Sequence, residues 1–397
     1  MKNFTHNQPT KVIFGVGNAN RVGEITAKYG TRCLMVAYHP SKMSKSQKTS
    51  CDELKKHLEL AGLDVFIYYG AIPNPTTECV DKGIKLAKKC NANVVLAVGG
   101  GSVIDAAKVI AFCSTNPSVD WDLFFSQYTI PFALDEPLNI PPLPLIAIPT
   151  TSGTGSQVTQ AAIITDTATN QKTGIFHSMF FPKVSIVDPK LMVSVPPQIT
   201  AETGFDAFSH AFESFINRNA TPYSEILSLE AIRLIIKWLP EAIKKGSNLE
   251  AREGMALADT LAGISLANAG TALPHPLGET IGSLYPHIPH GRSLAVIYPE
   301  FMRFACSSTL DKFATIGRLF NPLLNNVQDE IAAEKACGEF DEFLKKIGLW
   351  LSLKNLNIQL SDLENISKIM APITLRLSPR PASEKDLNHI LNHAYQR

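Results

Sequence analysis

Up to about residue 190 the chain alternates short apolar runs with amphipathic helical stretches, and beyond that point the short runs stop. The runs are KVIFG (11–15), CLMVAY (33–38), DVFIYYG (64–70), VVLAVGG (94–100), LPLIAIP (143–149) and VSIVD (184–188), separated by helical patterns such as CDELKKHLELAG (51–62) and VDKGIKLAKKC (80–90). This alternation predicts a parallel sheet covered by helices, because parallel neighbours need a crossover connection. After VDPKLMVSVPPQIT (187–200) only helical patterns remain, among them TAETGFDAFSHAFESFIN, SEILSLEAIRLIIKWLPEAIKKG, EAREGMALADTLAGISLANAG and DEIAAEKACGEFDEFLKKIG, and Ser383 stands where it would N-cap the last helix. The expectation is an α/β domain over residues 1–195 and an all-helical domain over 196–397. A chain of 397 residues, 45% hydrophobic, has ample material for two cores.

Charge and cysteine usage narrow the function classes. A formal net charge of +1 with no long run of like charges does not fit a nucleic-acid binder. The N-terminus MKNFTHNQPTK has no apolar core, and no stretch reaches the roughly 18 apolar residues of a membrane span, so a cytoplasmic protein is expected. The seven cysteines form no CxxC pair and no disulfide-like framework, and reduced structural residues are expected.

Two loops rich in small residues follow apolar strands. In VVLAVGGGSVIDAAKVIAF (94–112) the strand runs into Gly99, Gly100 and Gly101, then Ser102 at an N-cap position with Asp105 three residues on. Glycines and a helix start can cradle a phosphate, and they also suit a tight turn with no ligand. In IPTTSGTGSQVTQAA (148–162) every residue from Thr150 to Ser156 is Thr, Ser or Gly. Alone it reads as a polar turn; with the first loop it favours a dinucleotide at the C-terminal edge of a parallel sheet. GVGNAN (15–20) reads only as a turn.

The helical half carries a polar stripe. In GFDAFSHAFESFIN (204–217), Asp206, His210 and Glu213 share one side at i, i+4 and i+7. The stripe alone fits a solvent-facing edge. The stretch GTALPHPLGETIGSLYPHIPHG (270–291) adds His275, His287 and His290. Asp206, His210, His275 and His290 together offer one carboxylate and three imidazoles, a set that suits Fe(II) or Zn(II) and, lacking thiolates, suits catalysis better than structural zinc.

With TKVIFGVG, NPT (74–76), GGGSVIDAAK, IPTTSGTGSQVT, VDP, GFDAFSHAFE and the closing His290–Gly291, the chain resembles the iron-containing (group III) alcohol dehydrogenases, relatives of glycerol dehydrogenases and dehydroquinate synthases. The resemblance implies a Rossmann-like N-terminal domain, an all-α C-terminal domain, and a nicotinamide cofactor and metal meeting in a cleft between them. It implies Asp206, His210, His275 and His290 as ligands, and Asn74, Gly100, Gly101, Ser102, Asp105, Thr150, Thr151, Thr154 and Lys172 as cofactor contacts. Many members carry a second histidine four residues after the third ligand; here that place is Glu279. Glu279, His287 or solvent is then the expected proton relay.

The implied reaction is hydride transfer between NAD(P) and a small, neutral alcohol or aldehyde, with a homodimer as the implied assembly. Two other readings compete: a dehydroquinate synthase-like lyase, and a non-catalytic metal- and nucleotide-binding relative. The lyase needs cations around its metal, and only Arg218 and Arg292 stand near the ligands in sequence. After CLMVAY the chain continues Tyr38, His39, Pro40, Ser41, Lys42 and has no acidic residue until Asp52. An acidic residue there would bind the ribose 2′-hydroxyl and repel a 2′-phosphate, so NADP(H) is expected to be slightly favoured over NAD(H).

Overall fold

The structure is a computed structural model that describes residues 3–133, 138, 140–169, 171–370 and 378–397. It divides into two compact units. One holds Asn7–Val195 and Ser247–Ala256; the other holds Pro196–Gly246, the described part of Leu257–Arg397 and the N-terminal residues up to His6.

The first unit contains the strands β1 (Lys11–Phe14), β2 (Arg32–Tyr38), β3 (Asp64–Ala71), β4 (Val94–Gly99), β5 (Leu145–Pro149), β6 (Ala161–Thr165), β7 (Lys172–Phe176) and β8 (Val184–Val187). Its helices are α1 (Val22–Thr26), α2 (Lys45–Leu60), α3 (Thr77–Lys89), α4 (Gly101–Cys113) and α5 (Trp121–Tyr128). The six strands expected from the sequence form one parallel sheet in the order β1-β8-β5-β4-β2-β3. Central strands read as unbroken apolar runs because both faces are covered. Leu34, Val36, Val95, Ala97 and Ala147 pack with Val103, Ile104 and Ile110 of α4 on one face. Cys33, Met35, Leu96, Val98, Ile146 and Ile148 pack with Leu54 and Leu58 of α2 on the other. Each fully buried Leu, Ile or Val contributes about 1.5–3 kcal/mol, so the sheet is stabilised from both sides.

Two local features differ from the sequence expectation. The antiparallel hairpin β6–β7 was not foreseen; AAIIT and KTGIF are short and mixed in polarity. The helix after β4 begins at Gly101 with Gly100 as its N-cap, so Ser102 lies inside the first turn rather than at the cap. Asp105 is then free to face inward. Its carboxylate accepts the Ser156 hydroxyl at 2.5 Å and the Ile163 N–H at 3.1 Å. Lys108, one turn on, is 1% exposed and donates to Ala161 O at 2.6 Å and Thr159 Oγ1 at 3.2 Å. Asp105 and Lys108 of α4 thus fasten the hairpin through hydrogen bonds. Burial drives both groups toward neutrality: Asp105 is raised, with Lys108 opposing the rise, and Lys108 is lowered to about 8.

The VDP motif also has a structural role. Asp188 accepts the N–H groups of Gly17 and Ala19 at 2.9 and 3.1 Å, and so holds the turn after β1, where Gly17 adopts φ 84°. Asn74 of NPT is exposed with φ 52°, and Thr76 caps α3 by accepting the Cys79 N–H.

The regular elements of the second unit among its described residues are all helices: α6 (Pro197–Ile216), α7 (Pro222–Lys244), most of α8 (Leu249–Ala269), α9 (Pro274–Leu284), α10 (His290–Ala305), α11 (Leu310–Phe320), α12 (Asp329–Lys346), α13 (Leu363–Ile369) and α14 (Glu384–Gln396), with short 3-10 turns between them. Ser383 caps the last one through a capping box with Asp386. α6 is buried on nearly every side. Phe205, Phe208 and Phe212 pack against Tyr298 of α10, and Phe205 and Phe208 also meet Phe340 of α12. No helix among the described residues is long and apolar enough to cross a membrane.

Candidate metal centre

The site is assembled from three helices of the second unit. α6 carries Asp206 and His210 one turn apart, the first turn of α9 carries His275, and α10 opens on His290. The histidine-bearing stretch is therefore two helix starts and a short connection, with Pro274 in the first helical turn and Pro289 at the N-cap, positions that tolerate a missing N–H. Gly291 explains the close approach of α10 to α6. A Cβ there would lie 2.1 Å from Glu202 O, so only glycine lets the helix start settle against the backbone of α6. Arg292 Nε donates to Glu202 Oε1 at 2.6 Å beside it.

The imidazoles converge on one carboxylate. The Nε2 atoms of His210, His275 and His290 lie 3.8, 3.6 and 3.6 Å from Asp206 Oδ1. Donor atoms of Asp206, His275 and His290 all fall within 4.8 Å of one another. Asp206 Oδ1 and His275 Nε2 are buried with no hydrogen-bond partner. Unpaired buried polar atoms cost about 1–3 kcal/mol each, so a cluster of them facing each other fits a cation. The donor set, hard oxygen and borderline nitrogen without sulfur, fits Fe(II) or Zn(II).

Glu213, two turns along α6 from Asp206, is the residue whose role the sequence did not disclose. It is fully buried and accepts from His275 Nδ1 at 2.7 Å, from the Ala272 N–H at 2.7 Å and from the Tyr298 hydroxyl at 3.2 Å. A carboxylate on Nδ1 fixes the tautomer and leaves Nε2 free of its proton and able to donate to a cation. The i+7 spacing put Glu213 on the right face; its partner, 62 residues away, was not visible. Burial works against an imidazolium at His275, but Glu213 and Asp206 outweigh it and raise the group to about 10. Burial likewise opposes ionisation of Asp206, and the surrounding imidazoles, His210 foremost, hold it well below the usual carboxylate range. A cation held at this point would take the place of the proton on His275 Nε2.

Glu279 lies one turn beyond His275 on α9 and is half-buried; His287 is exposed in the connection to α10, its ring 6.1 Å from that of Tyr285. In the first unit, the two small-residue loops touch. Thr150 N–H donates to Gly99 O at 3.0 Å, a Cβ on Gly100 would stand 3.0 Å from Thr151 Oγ1, and one on Gly101 would stand 2.5 Å from Thr154 Cγ2. Contact between the loops is thus a reason for glycine there, independent of any ligand. Ser102 hydrogen-bonds Tyr38, and Lys172 stands on β7 opposite Thr165, near enough for its charge to act on Asp105. Arg292 is held by Glu202, and Arg218 donates to Pro379 O at 3.3 Å.

The chain thus pairs a parallel α/β unit with a helical unit that carries a carboxylate and three imidazoles arranged to suit a metal ion. Residues 9–189 match the family described as iron-containing alcohol dehydrogenase, and residues 200–395 match the C-terminal part of the Fe-containing alcohol dehydrogenase family. The chain belongs to the iron-containing alcohol dehydrogenases. It is 30% identical to the NAD-dependent methanol dehydrogenase of Bacillus methanolicus over 97% of this chain and 98% of that one. It is 32% identical to the 1,3-propanediol dehydrogenase of Klebsiella pneumoniae over 99% of both. Among solved structures, a 1,3-propanediol oxidoreductase superposes with a TM-score of 0.91 at 31% identity, covering 99% of this chain and 100% of that one. An archaeal halo-thermophilic alcohol dehydrogenase from a Red Sea brine pool gives 0.90 at 32% identity with the same coverage. These relatives are alcohol dehydrogenases, and neither the lyase nor the non-catalytic reading is favoured.

Proposed function

We propose that the chain moves hydride between a nicotinamide nucleotide and a small, neutral alcohol or aldehyde at a divalent metal held by Asp206, His210, His275 and His290. The observation that carries this reading is Asp206 Oδ1, buried, unpartnered and faced by three imidazole Nε2 atoms at 3.6–3.8 Å. A cation held by one carboxylate and three neutral imidazoles keeps net positive charge and supplies Lewis-acid polarisation of a carbonyl oxygen. Glu213 keeps His275 in the ligating tautomer, and Tyr298 and the Ala272 N–H keep Glu213 in place. The nearest cations in sequence are already engaged by Glu202 and by Pro379 O, which supports a neutral substrate over a polyanion. Glu279, on the same side of α9 as His275, is the proposed proton relay, with His287 as its alternative.

For the cofactor, the N–H groups at the start of α4 and the loop Thr150–Thr154 are the proposed pyrophosphate and ring contacts, with Asn74, Asp105 and Lys172 as supporting positions. NADP(H) is proposed as slightly favoured. β2 ends at Tyr38, His39 Nδ1 pairs with Ser41 Oγ at 2.8 Å, and Lys42, Lys45 and Lys48 are exposed. Exposed pairs are worth about 0.2–1 kcal/mol each, so the preference would be modest. Fe(II) is the proposed metal with Zn(II) as alternative, and a cytoplasmic homodimer the proposed state. The test is steady-state oxidation of short primary alcohols by chelator-treated protein given Fe(II) or Zn(II), with NAD and NADP compared by kcat/KM at low salt. Metal-dependent turnover is expected; none with either metal and either cofactor sinks the reading, and a clear NAD preference sinks its cofactor clause.

A further inference from the structure

Cys306 and Cys337 stand apart from the other five cysteines. Cys33, Cys51, Cys79, Cys90 and Cys113 are all buried in the α/β unit, and burial pushes Cys33 and Cys113 up to about 12 and Cys51 to about 11. Cys306 is half-exposed, immediately after α10, and Cys337 lies on α12. Both line an open cavity of about 470 Å³, together with Arg303, Glu330, Ala333 and Glu334.

The backbone brings the two sulfurs together. Cys306 Sγ sits 3.4 Å from Ala333 O, the carbonyl that accepts the helical hydrogen bond from the Cys337 N–H one turn later. The two thiols lie close enough that their mutual interaction is the leading influence on the acidity of both. It holds Cys306 below the ordinary thiol value and pushes Cys337 well above it, so Cys306 is the more acidic partner and the one that solvent reaches. Thiolate character combined with exposure, next to a second thiol, is what selects a cysteine for oxidation.

We propose that Cys306 and Cys337 form a reversible dithiol–disulfide site, in which a hydroperoxide oxidises Cys306 and Cys337 closes the bridge. The Cys306 thiolate attacks one peroxide oxygen and the O–O bond breaks. The other oxygen leaves as water or an alcohol, and the peroxide takes up two electrons from sulfur. The Cys337 sulfur then attacks the resulting sulfenic acid, its proton goes to the departing hydroxyl, and water leaves as the S–S bond forms. Two thiols and one hydrogen peroxide give one disulfide and two waters. A small-molecule dithiol reverses the step by exchange.

The site is independent of the metal and of turnover, so its test does not need either. Full-length protein is titrated with hydrogen peroxide, alkylated, digested without reduction and mapped by mass spectrometry. The expected product is one cross-linked pair joining the Cys306 and Cys337 peptides, with two of the seven thiols lost and both restored by dithiothreitol. In Cys337→Ser the bridge cannot close, and dimedone should label Cys306 as the sulfenic acid; in Cys306→Ser, Cys337 should survive peroxide doses that consume it in the parent. Cys306 driven to sulfinic acid in the parent without a cross-link, or bridges formed through other cysteines, would overturn the proposal whatever the variants do.

Discussion

Glu213 Oε1 lies 2.7 Å from His275 Nδ1, and both groups are buried. The contact fixes which ring nitrogen faces Asp206, so Glu213→Ala should lower metal affinity by about 10–100-fold, the usual loss when the support of a ligating histidine is removed. Metal content measured after dialysis against graded chelator, with the far-UV spectrum as a folding control, checks it. Unchanged retention in a folded variant would show that His275 needs no such support.

His275 and Asp206 are expected to act with His210 and His290 as one site. His210→Ala or His275→Ala should give folded, metal-poor protein without alcohol oxidation. Elemental analysis decides this, since either variant holding a full complement of metal removes the assignment.

Gly291→Ala places a Cβ 2.1 Å from the backbone oxygen of Glu202, which has no flexible end to move aside. The expected cost is about 1–3 kcal/mol of stability, as for other overpacked contacts, with metal content falling as His290 is pushed away. Gly282→Ala is the control: nothing lies within 4 Å of that Cβ, and a gain of about 0.4–1 kcal/mol is expected. Urea midpoints of the two variants should move in opposite directions.

Lys108 titrates near 8 in the folded chain against an ordinary value of 10.5, because burial disfavours its charge. Below pH 8 both states are protonated and the penalty is complete. Between 8 and 10.5 the unfolded chain binds more protons than the folded one, so this group makes stability rise with pH. The gain is at most about 3 kcal/mol, at 1.36 kcal/mol per pKa unit. Urea midpoints of the parent and Lys108→Met from pH 7.5 to 10 test this: the parent should gain on the variant, and a flat difference would remove the assignment.

Glu279→Gln should alter the pH–rate profile while metal content stays intact, if the carboxylate on α9 relays the proton. An unchanged profile, with a change in His287→Ala instead, would transfer the role to the connection before α10.

What could be read from the sequence followed burial. The six sheet strands were legible because runs such as VVLAVG are apolar on both faces, whereas β6 and β7 mix Thr, Lys and Gly with their apolar residues and gave no periodic signal. α9 and α10 were hidden because Pro274 and Pro289, which look like breakers, stand at helix starts. Asp206, His210, His275 and His290 were visible as residue types; that His290 comes to the same oxygen as the others rests on the close approach allowed by Gly291, set by a backbone atom 89 positions earlier in the chain. The helix start after β4 lies two residues earlier than the sequence suggests, because Ser102 looks like a cap, yet the strand delivers the chain so that Gly100 caps instead.

Because the four donors come from α6, α9 and α10, a bound ion would behave as a removable cross-link over the stretch from Asp206 to His290. Unfolding this unit would have to release the ion. Its resistance to heat or urea would then scale with free metal, by about 2.7 kcal/mol when the metal stands at 100 times its dissociation constant. The same chain would be a sturdy protein in a metal-replete cell and a more fragile one under metal limitation, so its abundance could follow metal supply without any dedicated sensor.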